Sequence, residues 1–381
     1  MQSQYIGISW QLSDRHGWGV FGYNLALNLI RNGPCPPLLL STPNFIGIPE
    51  QTANKIQSYL WNFKNSPEKL QSTTLLHSLG NEFQENPATR QMRGRHNIAF
   101  AFFEETGFSS AALARAASWD HLLVGSSWNR TVCLDRGITN VTFVSQGVDT
   151  SQFAPAPRQG VPSGRFVIYS GGKLEYRKGQ DLVVAAFRVF HEKYPDSLLL
   201  TAWQNNWSQS AASIARSPLV TGGPEAGPNG QLLVADWAVG QGIARDAFVD
   251  LGWISNQRLP AILNEADVAL FPSRCEGGTN LAAMEAMACG VPCLLSANTG
   301  HLDIIDGDTN CYPLTRQSPC GSGATADWRD SDVDEIVDTL ERAYHNSAAR
   351  RQIGRQGELF MGKRSWAQQT RQLVGHIQPF L

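Results

Sequence analysis

The sequence of 381 residues lacks a long apolar run and lacks an excess of either charge. No window approaches the roughly 20 consecutive apolar residues that a membrane-spanning helix needs, and the start, MQSQYIGISW, has no basic segment ahead of an apolar one. The formal net charge of -2 excludes the broad positive field that nucleic-acid binding and anionic-membrane binding require. Any anion site must therefore be local.

Cysteine pairs at metal-binding spacings are also missing. The seven cysteines are scattered and odd in number, so the sequence indicates neither a disulfide scaffold nor a zinc site. We therefore expect a protein of the reducing cytoplasm without metal ligands. The composition is otherwise globular, with 42% hydrophobic and 17% charged residues, and the length favours two domains.

Strand and helix patterns alternate in both halves of the chain. In the first half the strand YIGISWQ leads through DRHGWGVFG into a helix, and apolar runs follow at TTLLHSLG, HNIAFAFF, DHLLVGS and NVTFVSQGV. The second half repeats the series from RFVIYSGG onward. Strands that alternate with helices predict a parallel sheet, so we expect two α/β domains.

The segment SQFAPAPRQGVPSG concentrates Pro, Gly and Ser without periodicity and predicts a linker. We place an N-terminal domain at 1–155 and a C-terminal domain at 164–360. Residues 361–381 are expected to form a C-terminal helix that returns toward the N-terminal domain. The irregular region from TAWQNNWSQ to DWAVGQ is interpreted as a surface insertion, with no role assigned.

The segment FPSRCEGGTNLAAMEAMACGVP carries the most chemical information. A strand delivers a Gly-Gly turn onto the start of a helix, where unpaired backbone N–H groups and the helix dipole favour phosphate oxygens. We expect a diphosphate near the residues at this junction: Gly278, Thr279, Asn280 and Leu281. A purely structural turn is the alternative, since any strand–turn–helix unit exposes such amides.

Glu285 lies four residues after Leu281, so its carboxylate faces the apolar side of the predicted helix and needs a partner. Two ribose hydroxyls can donate to one carboxylate, which would place a nucleoside beside the diphosphate. A salt bridge within the protein is the alternative.

The segment SGGKLEYRKG leaves a strand through two glycines and contains three cations. Lys173 and Lys178 stand at either end of a short loop, a spacing that lets both ammonium groups reach one anion. Arg177 competes for that role, and lysines that are merely solvated are the alternative.

These motifs, together with LGWISNQRLPAIL and SQGVDTSQFAP, resemble the retaining glycosyltransferases of family 4, the group 1 glycosyltransferases with the GT-B fold. The likeness is strongest from about residue 143 to 313. It implies two Rossmann-like domains whose parallel sheets face a central cleft. In the C-terminal domain it implies donor-binding roles for five positions: Lys173 and Lys178 on the diphosphate, Glu276 near the sugar, Glu285 on the ribose, and Ile254 near the base.

One spacing departs from the family pattern. The family separates its two glutamates by seven residues, whereas eight lie between Glu276 and Glu285, so strict alignment would select Gly277 unless the loop bulges. In the N-terminal domain the resemblance implies donor-binding glycines in the GWGVFG loop, Gly17 and Gly19. It also implies that His77 and Glu104, at two strand ends on the acceptor side of the cleft, act in catalysis together with Glu276. A histidine at a strand end is alternatively a structural hydrogen-bond donor, and Glu104 is hard to separate from Glu105.

The resemblance implies a metal-independent hexosyltransferase that retains anomeric configuration. Its co-substrate would be a UDP or GDP sugar, with no further cofactor. The acceptor would be a sugar, a lipid-linked molecule or another small molecule, which is compatible with peripheral membrane contact but involves no nucleic acid. Two alternatives stay open: a sugar-nucleotide-binding protein without turnover, and an epimerase or phosphorylase of similar fold.

Overall fold

The computed structural model describes residues 3–62, 66–160, 164–205 and 208–381. The elements of the N-terminal half are β1 (Tyr5–Ile8), α1 (Gly17–Asn32), β2 (Pro37–Leu39), α2 (Glu50–Gln57), β3 (Thr73–Leu79), β4 (His96–Ala101), α3 (Ser110–Ala117), β5 (His121–Val124), α4 (Ser127–Asp135) and β6 (Val141–Phe143). Over the described residues the six strands form a parallel sheet in the order β2-β1-β3-β4-β5-β6.

The C-terminal half repeats this architecture. Its elements are β7 (Phe166–Gly171), α5 (Gln180–Lys193), β8 (Ser197–Ala202), α6 (Ser208–Ala211), α7 (Val234–Gly240), β9 (Phe248–Asp250), α8 (Leu259–Leu263), β10 (Val268–Phe271), α9 (Leu281–Ala288), β11 (Cys293–Ser296), β12 (Tyr312–Leu314), β13 (Gln317–Pro319), β14 (Arg329–Ser331), α10 (Val333–His345), α11 (Ser347–Gly362) and α12 (Trp366–Ile377). Within the described chain, six strands pair in parallel in the order β12-β11-β10-β7-β8-β9. The remaining two, β13 and β14, form an antiparallel ribbon.

Both faces of each sheet are buried, as parallel sheets with crossover helices require. In β7, for example, Phe166 and Ile168 pack into one apolar cluster, while Val167 and Tyr169 pack into the cluster on the opposite face. This alternation explains why the strands appear in the sequence as nearly continuous apolar runs. The prediction of two α/β domains with parallel sheets is confirmed.

The last helix covers the N-terminal sheet. Trp366, Leu373 and Ile377 of α12 are buried in the apolar cluster that α1 forms with β1, β3 and β4. Beyond α12, the Phe380 carbonyl accepts hydrogen bonds from Thr74 Oγ1 and from Ser3 Oγ. The end of the described chain is therefore fixed to the N-terminal half, although α11 packs against α9 of the C-terminal half.

Two irregular segments were singled out from the sequence. In the predicted linker, residues 154–160 have no regular secondary structure, and residues 161–163 lie outside the described residues. The interpretation of the second segment as a surface insertion is wrong for much of its length, because Ile214, Leu232 and Trp237 are buried in the core of the C-terminal half. Residues 206 and 207 of that segment lie outside the described part of the chain.

The carboxyl ends of the two sheets face each other and contact directly. Ser126 Oγ, at the start of α4, donates to the Gly277 carbonyl at 3.0 Å. Trp328 Nε1 donates to the Glu104 carbonyl at 2.8 Å. Since parallel α/β sheets place ligand-binding loops at their carboxyl ends, a ligand site is expected in the cleft between the two domains.

Candidate functional site

A cavity of about 850 Å³ lies between the two halves and is lined by loops from both. Most of the residues selected from the sequence line it: Gly17, Glu104, Lys173, Lys178, Ile254, Glu276, Gly278, Asn280, Leu281 and Glu285. Three others, Gly19, His77 and Thr279, do not. The fold thus brings motifs more than 200 residues apart in the sequence to one space.

The first turn of α9 borders the cavity. Asn280 adopts a φ of 62° and caps the helix, with its side chain accepting from the Ala283 N–H at 3.4 Å. The next two residues, Leu281 and Ala282, line the cavity. Because the first N–H groups of a helix have no intrahelical acceptor, this end of α9 offers donors and a positive dipole end to an anion.

Thr279 supports this turn from behind and does not line the cavity. It is fully buried, and its N–H donates to Gln146 Oε1 of the N-terminal half at 3.3 Å. Its hydroxyl lies 3.0 Å from the Met284 sulfur. Asn280 adopts a positive φ, and Thr279 contacts Gln146 of the N-terminal half while its neighbours Gly278 and Asn280 line the cavity.

Glu285 stands one turn further along α9 at the cavity wall. Its side chain is buried, and Oε1 accepts a hydrogen bond from Asn256 Nδ2 at 3.0 Å. Burial raises the pKa of Glu285 to about 7, against the opposing effect of the Asn256 hydrogen bond. The alternative of a salt bridge is not found, since no cation of the described residues pairs with this carboxylate. Glu285 therefore keeps acceptor capacity for a ligand.

A network of charges occupies the loop that follows β7. Arg177 is its centre: Nη2 lies 2.5 Å from Glu175 Oε1, and Nη1 lies 3.1 Å from Glu276 Oε2. Glu104 Oε1, from the N-terminal half, is 3.6 Å from Nη1. Burial disfavours the charged guanidinium, yet the three carboxylates raise the pKa of Arg177 well above its ordinary value. Arg177 is thus a permanent cation that joins both halves.

The two lysines predicted to share one anion are each paired with a different carboxylate. Lys173 Nζ lies 2.7 Å from Glu175 Oε2, and Lys178 Nζ lies 2.7 Å from Glu276 Oε1. Both ammonium groups nevertheless line the same cavity as the first turn of α9. A phosphate that entered there would meet cations that are already oriented by carboxylates.

Glu276 lines the cavity from the loop between β10 and α9. Its carboxylate also accepts from Ser273 Oγ at 2.7 Å, and its side chain is 5% exposed. Burial opposes its ionisation, but the attraction of Lys178 and Arg177 lowers the pKa of Glu276 to about 2. Gly277 lies instead against the N-terminal half, where an added Cβ would come within 2.6 Å of the Phe103 carbonyl oxygen.

Glu104 reaches the cavity from the end of β4. The backbone N–H groups of Glu104 and Glu105 lie 3.0 and 3.4 Å from Asn81 Oδ1, which fixes the loop. Burial raises the pKa of Glu104, while Arg177 acts in the opposite direction. Glu105 lines the cavity as well, so the sequence alone had no means of separating the two.

His77 and Gly19 do not line the cavity. His77 is 2% exposed, its Nε2 is 3.1 Å from Asn97 Oδ1, and its ring packs on Trp119 with centroids 4.8 Å apart. Side chains alternate along a strand, and position 77 falls on the face of β3 that packs against Trp119. Gly19 allows close packing of α1, since an added Cβ would lie 2.5 Å from the Ser13 Cβ. The structural alternative for His77 is the one supported here.

Among the cavity residues that were missed at the level of the sequence, two orient the loops that carry predicted site residues. Gln146 follows β6 and orients the turn before α9, and Asn81 follows β3 and orients the Glu104 loop. Both are polar residues just beyond the carboxyl end of a parallel strand, where the strands of one sheet end at a common edge. That position was the signal that could have identified them.

Comparison with known proteins finds relatives of this chain. Residues 165–319 match the family model of the Glycosyl transferases group 1. A GDP-mannose-dependent alpha-(1-6)-phosphatidylinositol monomannoside mannosyltransferase of Mycolicibacterium smegmatis is 27% identical over 250 residues, which cover 58% of each protein. A D-inositol 3-phosphate glycosyltransferase of an Arthrobacter species is 26% identical over 60% of this chain and 47% of its own length. The chain thus spans about half the length of these curated relatives.

Solved structures match over the whole chain. A sucrose-phosphate synthase of Thermosynechococcus elongatus superposes with a TM-score of 0.69 at 16% identity, covering 99% of this chain and 98% of its own. The Anabaena protein Alr3699/HepE, in complex with UDP and glucose, superposes with a TM-score of 0.67 at 12% identity, covering 99% and 100%. At such identities the superpositions establish the fold alone. The resemblance to group 1 glycosyltransferases and the expected GT-B fold are confirmed.

Proposed function

We propose that this chain, whose residues 165–319 form a group 1 glycosyltransferase domain within a GT-B fold, transfers a hexose from a nucleoside-diphosphate sugar to an acceptor hydroxyl. One observation carries the proposal. The first turn of α9, the cationic loop after β7 and the Glu285 carboxylate meet at a single cavity. Helix amides and lysines suit a diphosphate, and a carboxylate with free acceptor capacity suits two ribose hydroxyls.

The same groups supply a mechanism. When the bond between sugar and diphosphate breaks, negative charge grows on the departing phosphate, and Lys178, Lys173 and the α9 amides stabilise that charge without reorganising. Glu276, held ionised by its cations, would accept hydrogen bonds from donor-sugar hydroxyls. Glu104 would orient the acceptor hydroxyl at the other side of the cavity. We propose that the leaving phosphate takes the acceptor proton on the face it departs from, which retains the anomeric configuration.

We further propose that no divalent ion takes part, because the site offers fixed cations where other transferases use a metal ion. The relatives support two donor bases. The name of the Mycolicibacterium relative specifies GDP-mannose, whereas the Anabaena protein was solved with UDP and glucose. A donor survey must therefore include sugars of both nucleotides.

We also propose that the protein is located in the cytoplasm. All seven cysteines are free thiols in the structure, and five of them are buried, which suits a reducing compartment. Within the described residues, no helix combines the length and the apolar character that crossing a bilayer would require.

The test is a panel of UDP and GDP hexoses incubated with the purified chain, with release of nucleoside diphosphate as the measurement. We expect slow hydrolysis of one donor without an acceptor and faster release with an accepted sugar or polyol. The Glu285→Ala variant should bind the same donor more weakly.

The panel also separates the alternatives. Tight nucleotide-sugar binding without any release would support a binding protein. Conversion of the donor into an isomeric nucleotide sugar, again without release, would support an epimerase. Either result would contradict the proposed transfer.

A further inference from the structure

The cavity extends beyond the proposed phosphate site to a wall that the group 1 motifs do not include. This wall is the 3₁₀ turn Ala212–Arg216, which belongs to the segment interpreted from the sequence as an insertion. Ser213 and Arg216 of this turn line the cavity. Ser213 Oγ accepts the Tyr176 N–H at 3.0 Å, so the turn is tied to the loop that carries Lys173, Arg177 and Lys178.

Arg216 places a cation on this wall of the cavity. Its guanidinium carbon lies 4.6 Å from the centroid of the Tyr176 ring and 5.9 Å from that of Trp328, and its side chain is exposed. Stacking on two aromatic rings holds the planar group without consuming its N–H donors. The position of the cation is therefore fixed, while its hydrogen-bonding capacity is not used by the rings.

Arg216 differs from the other arginines around the loop in having no carboxylate partner among the described residues. Arg177 is paired with Glu175 at 2.5 Å, and Arg274 is paired with Asp181 at 2.6 Å. A guanidinium that lines a cavity, is oriented by aromatic rings and is left without a counter-ion is suited to an anion from outside the protein.

The location of Arg216 favours the acceptor over the donor. Trp328, on which Arg216 stacks, donates from Nε1 to the Glu104 carbonyl, so this wall adjoins the loop of the N-terminal half that ends β4. Arg216 and the groups assigned to the donor, at α9 and after β7, all belong to the C-terminal half, but Arg216 stands beside the ring that contacts the N-terminal half. Glu105 lines the same cavity from the N-terminal half, and its carboxylate can accept hydrogen bonds from acceptor hydroxyls.

We propose that the acceptor carries an anionic group, a phosphate or a carboxylate, and that Arg216 binds it. The inference rests on the proposed transferase function and specifies the substrate class of the same site. Phosphate and carboxylate share the geometry that a guanidinium binds with two parallel hydrogen bonds. A neutral sugar of the same shape would leave the cation without a partner.

Binding measurements test the proposal without requiring turnover. We would titrate two series of ligands into the full chain saturated with UDP or GDP. One series is glucose, glucose 6-phosphate and glucuronate, and the other is glycerol and glycerol 3-phosphate. We expect at least one anionic member to bind about tenfold or more tightly than its neutral counterpart, as a charge-assisted contact predicts. The phosphate and carboxylate arms identify which anion is preferred.

Arg216→Ala should abolish that preference, and Arg216→Lys should restore part of it. Arg245→Ala is the matched control, since Arg245 is an exposed arginine of the same half that pairs with Asp236 and does not line the cavity. Donor hydrolysis without acceptor should fall less in Arg216→Ala than the affinity for the anionic acceptor does, whereas a donor-binding role would lower both to a similar degree.

Equal affinity for neutral and anionic members, or a preference that survives Arg216→Ala, would overturn the proposal. A loss of donor hydrolysis in Arg216→Ala as large as the loss of affinity for the anionic acceptor would overturn the assignment to the acceptor. Failure of the transferase function is a separate result, since it appears as the absence of nucleoside diphosphate release from every donor of the panel.

Discussion

Lys178 Nζ lies 2.7 Å and 2.8 Å from the two carboxylate oxygens of Glu276, and this ion pair joins the loop after β7 to the loop before α9. The Lys178 side chain is 17% exposed and that of Glu276 is 5% exposed, so solvent screens their attraction weakly. A donor phosphate that binds Lys178 would have to share this cation with Glu276. The pair therefore couples donor binding to the carboxylate proposed to contact the sugar.

Replacing Lys178 with alanine should reduce donor turnover by about a hundredfold or more, as the loss of one charge-stabilising donor does in other active sites. Thermal stability should fall less, because Glu276 keeps Arg177 and Ser273 as partners. Nucleoside diphosphate release and melting temperature check the two effects. Lys193→Ala is the control, since that lysine is exposed on α5 and pairs with Glu341. Turnover equal to that of the control would contradict the phosphate site.

Arg177→Ala should destabilise the fold by about 3–5 kcal/mol, because removal of one partner leaves buried carboxylates uncompensated. The contacts of Arg177 with Glu104, Glu175 and Glu276 are the basis of this expectation. Lys173→Ala should cost no more than about 1 kcal/mol, since the Lys173 side chain is 35% exposed and solvent screens its charge. Urea unfolding of both variants provides the measurement. Equal destabilisation would show that Arg177 is not the centre of the network.

Much of this arrangement could be predicted from the sequence. The apolar runs determined two parallel sheets, and the motif after β10 located the turn, α9 and Glu285 correctly on the cavity wall. The lysine loop was also located, because two glycines at the end of a strand permit a turn and a close approach to the backbone.

What could not be predicted depends on contacts between distant segments. The orientation of His77 depends on which face of β3 meets Trp119, and the burial of Thr279 depends on Gln146 across the interface. The pairing of Lys173 and Lys178 with separate carboxylates likewise requires the folded positions of Glu175 and Glu276. Such pairings follow from tertiary packing, which local spacing does not encode.

Glu285 should make stability fall as pH rises from about 4.5 to 7. Its pKa is raised to about 7 in the folded protein, above the ordinary 4.5, so the folded state holds a proton that the unfolded chain has lost between these values. Stability should therefore decrease between about pH 4.5 and 7, by about 3 kcal/mol in total for this group. Urea unfolding of the Glu285→Gln variant should lack that decrease. An unchanged pH profile would contradict the buried, titrating carboxyl.

The same group should make nucleotide binding stronger as pH rises. Ribose hydroxyls donate to the ionised carboxylate, so affinity for the nucleoside diphosphate should increase from pH 6 to 8 and then level off. Calorimetry at several pH values provides the measurement, and Glu285→Gln should bind more weakly above pH 7 with a flatter profile. If the variant bound as tightly as the unchanged chain at pH 8, the ribose role would be wrong.

His77→Gln should leave turnover unchanged, because His77 lies outside the cavity. Burial lowers the pKa of His77 to about 4, so its imidazole is neutral in the folded protein. The unfolded chain takes up a proton below about pH 6.5, and stability is lost as pH falls from there toward 4. The His77→Gln variant should lose part of this decrease in stability at low pH. The rest should remain, because burial also lowers the pKa of His301 to about 4. A large drop in turnover at pH 7.5 would return His77 to the active site.

Donor turnover should survive a chelator. The proposed anion site consists of Lys173, Lys178 and the first turn of α9, whereas the Asp-x-Asp strings of the sequence, in IDGDTN and DSDVD, do not line the cavity. Asp306 and Asp308 lie in an exposed turn, while Asp330 pairs with the buried Arg274 at 2.5 Å. Transferases that depend on a metal ion place carboxylates beside the diphosphate, where the ion bridges its oxygens. Nucleoside diphosphate release measured with and without EDTA should therefore agree within error, and added magnesium or manganese should not increase it.

Lys178→Ala provides the internal comparison. If a divalent ion restored release in this variant alone, Lys178 would occupy the position that a metal ion has in other enzymes. Complete loss of release in EDTA from the unchanged chain, restored by either ion, would contradict the proposed metal-independent mechanism.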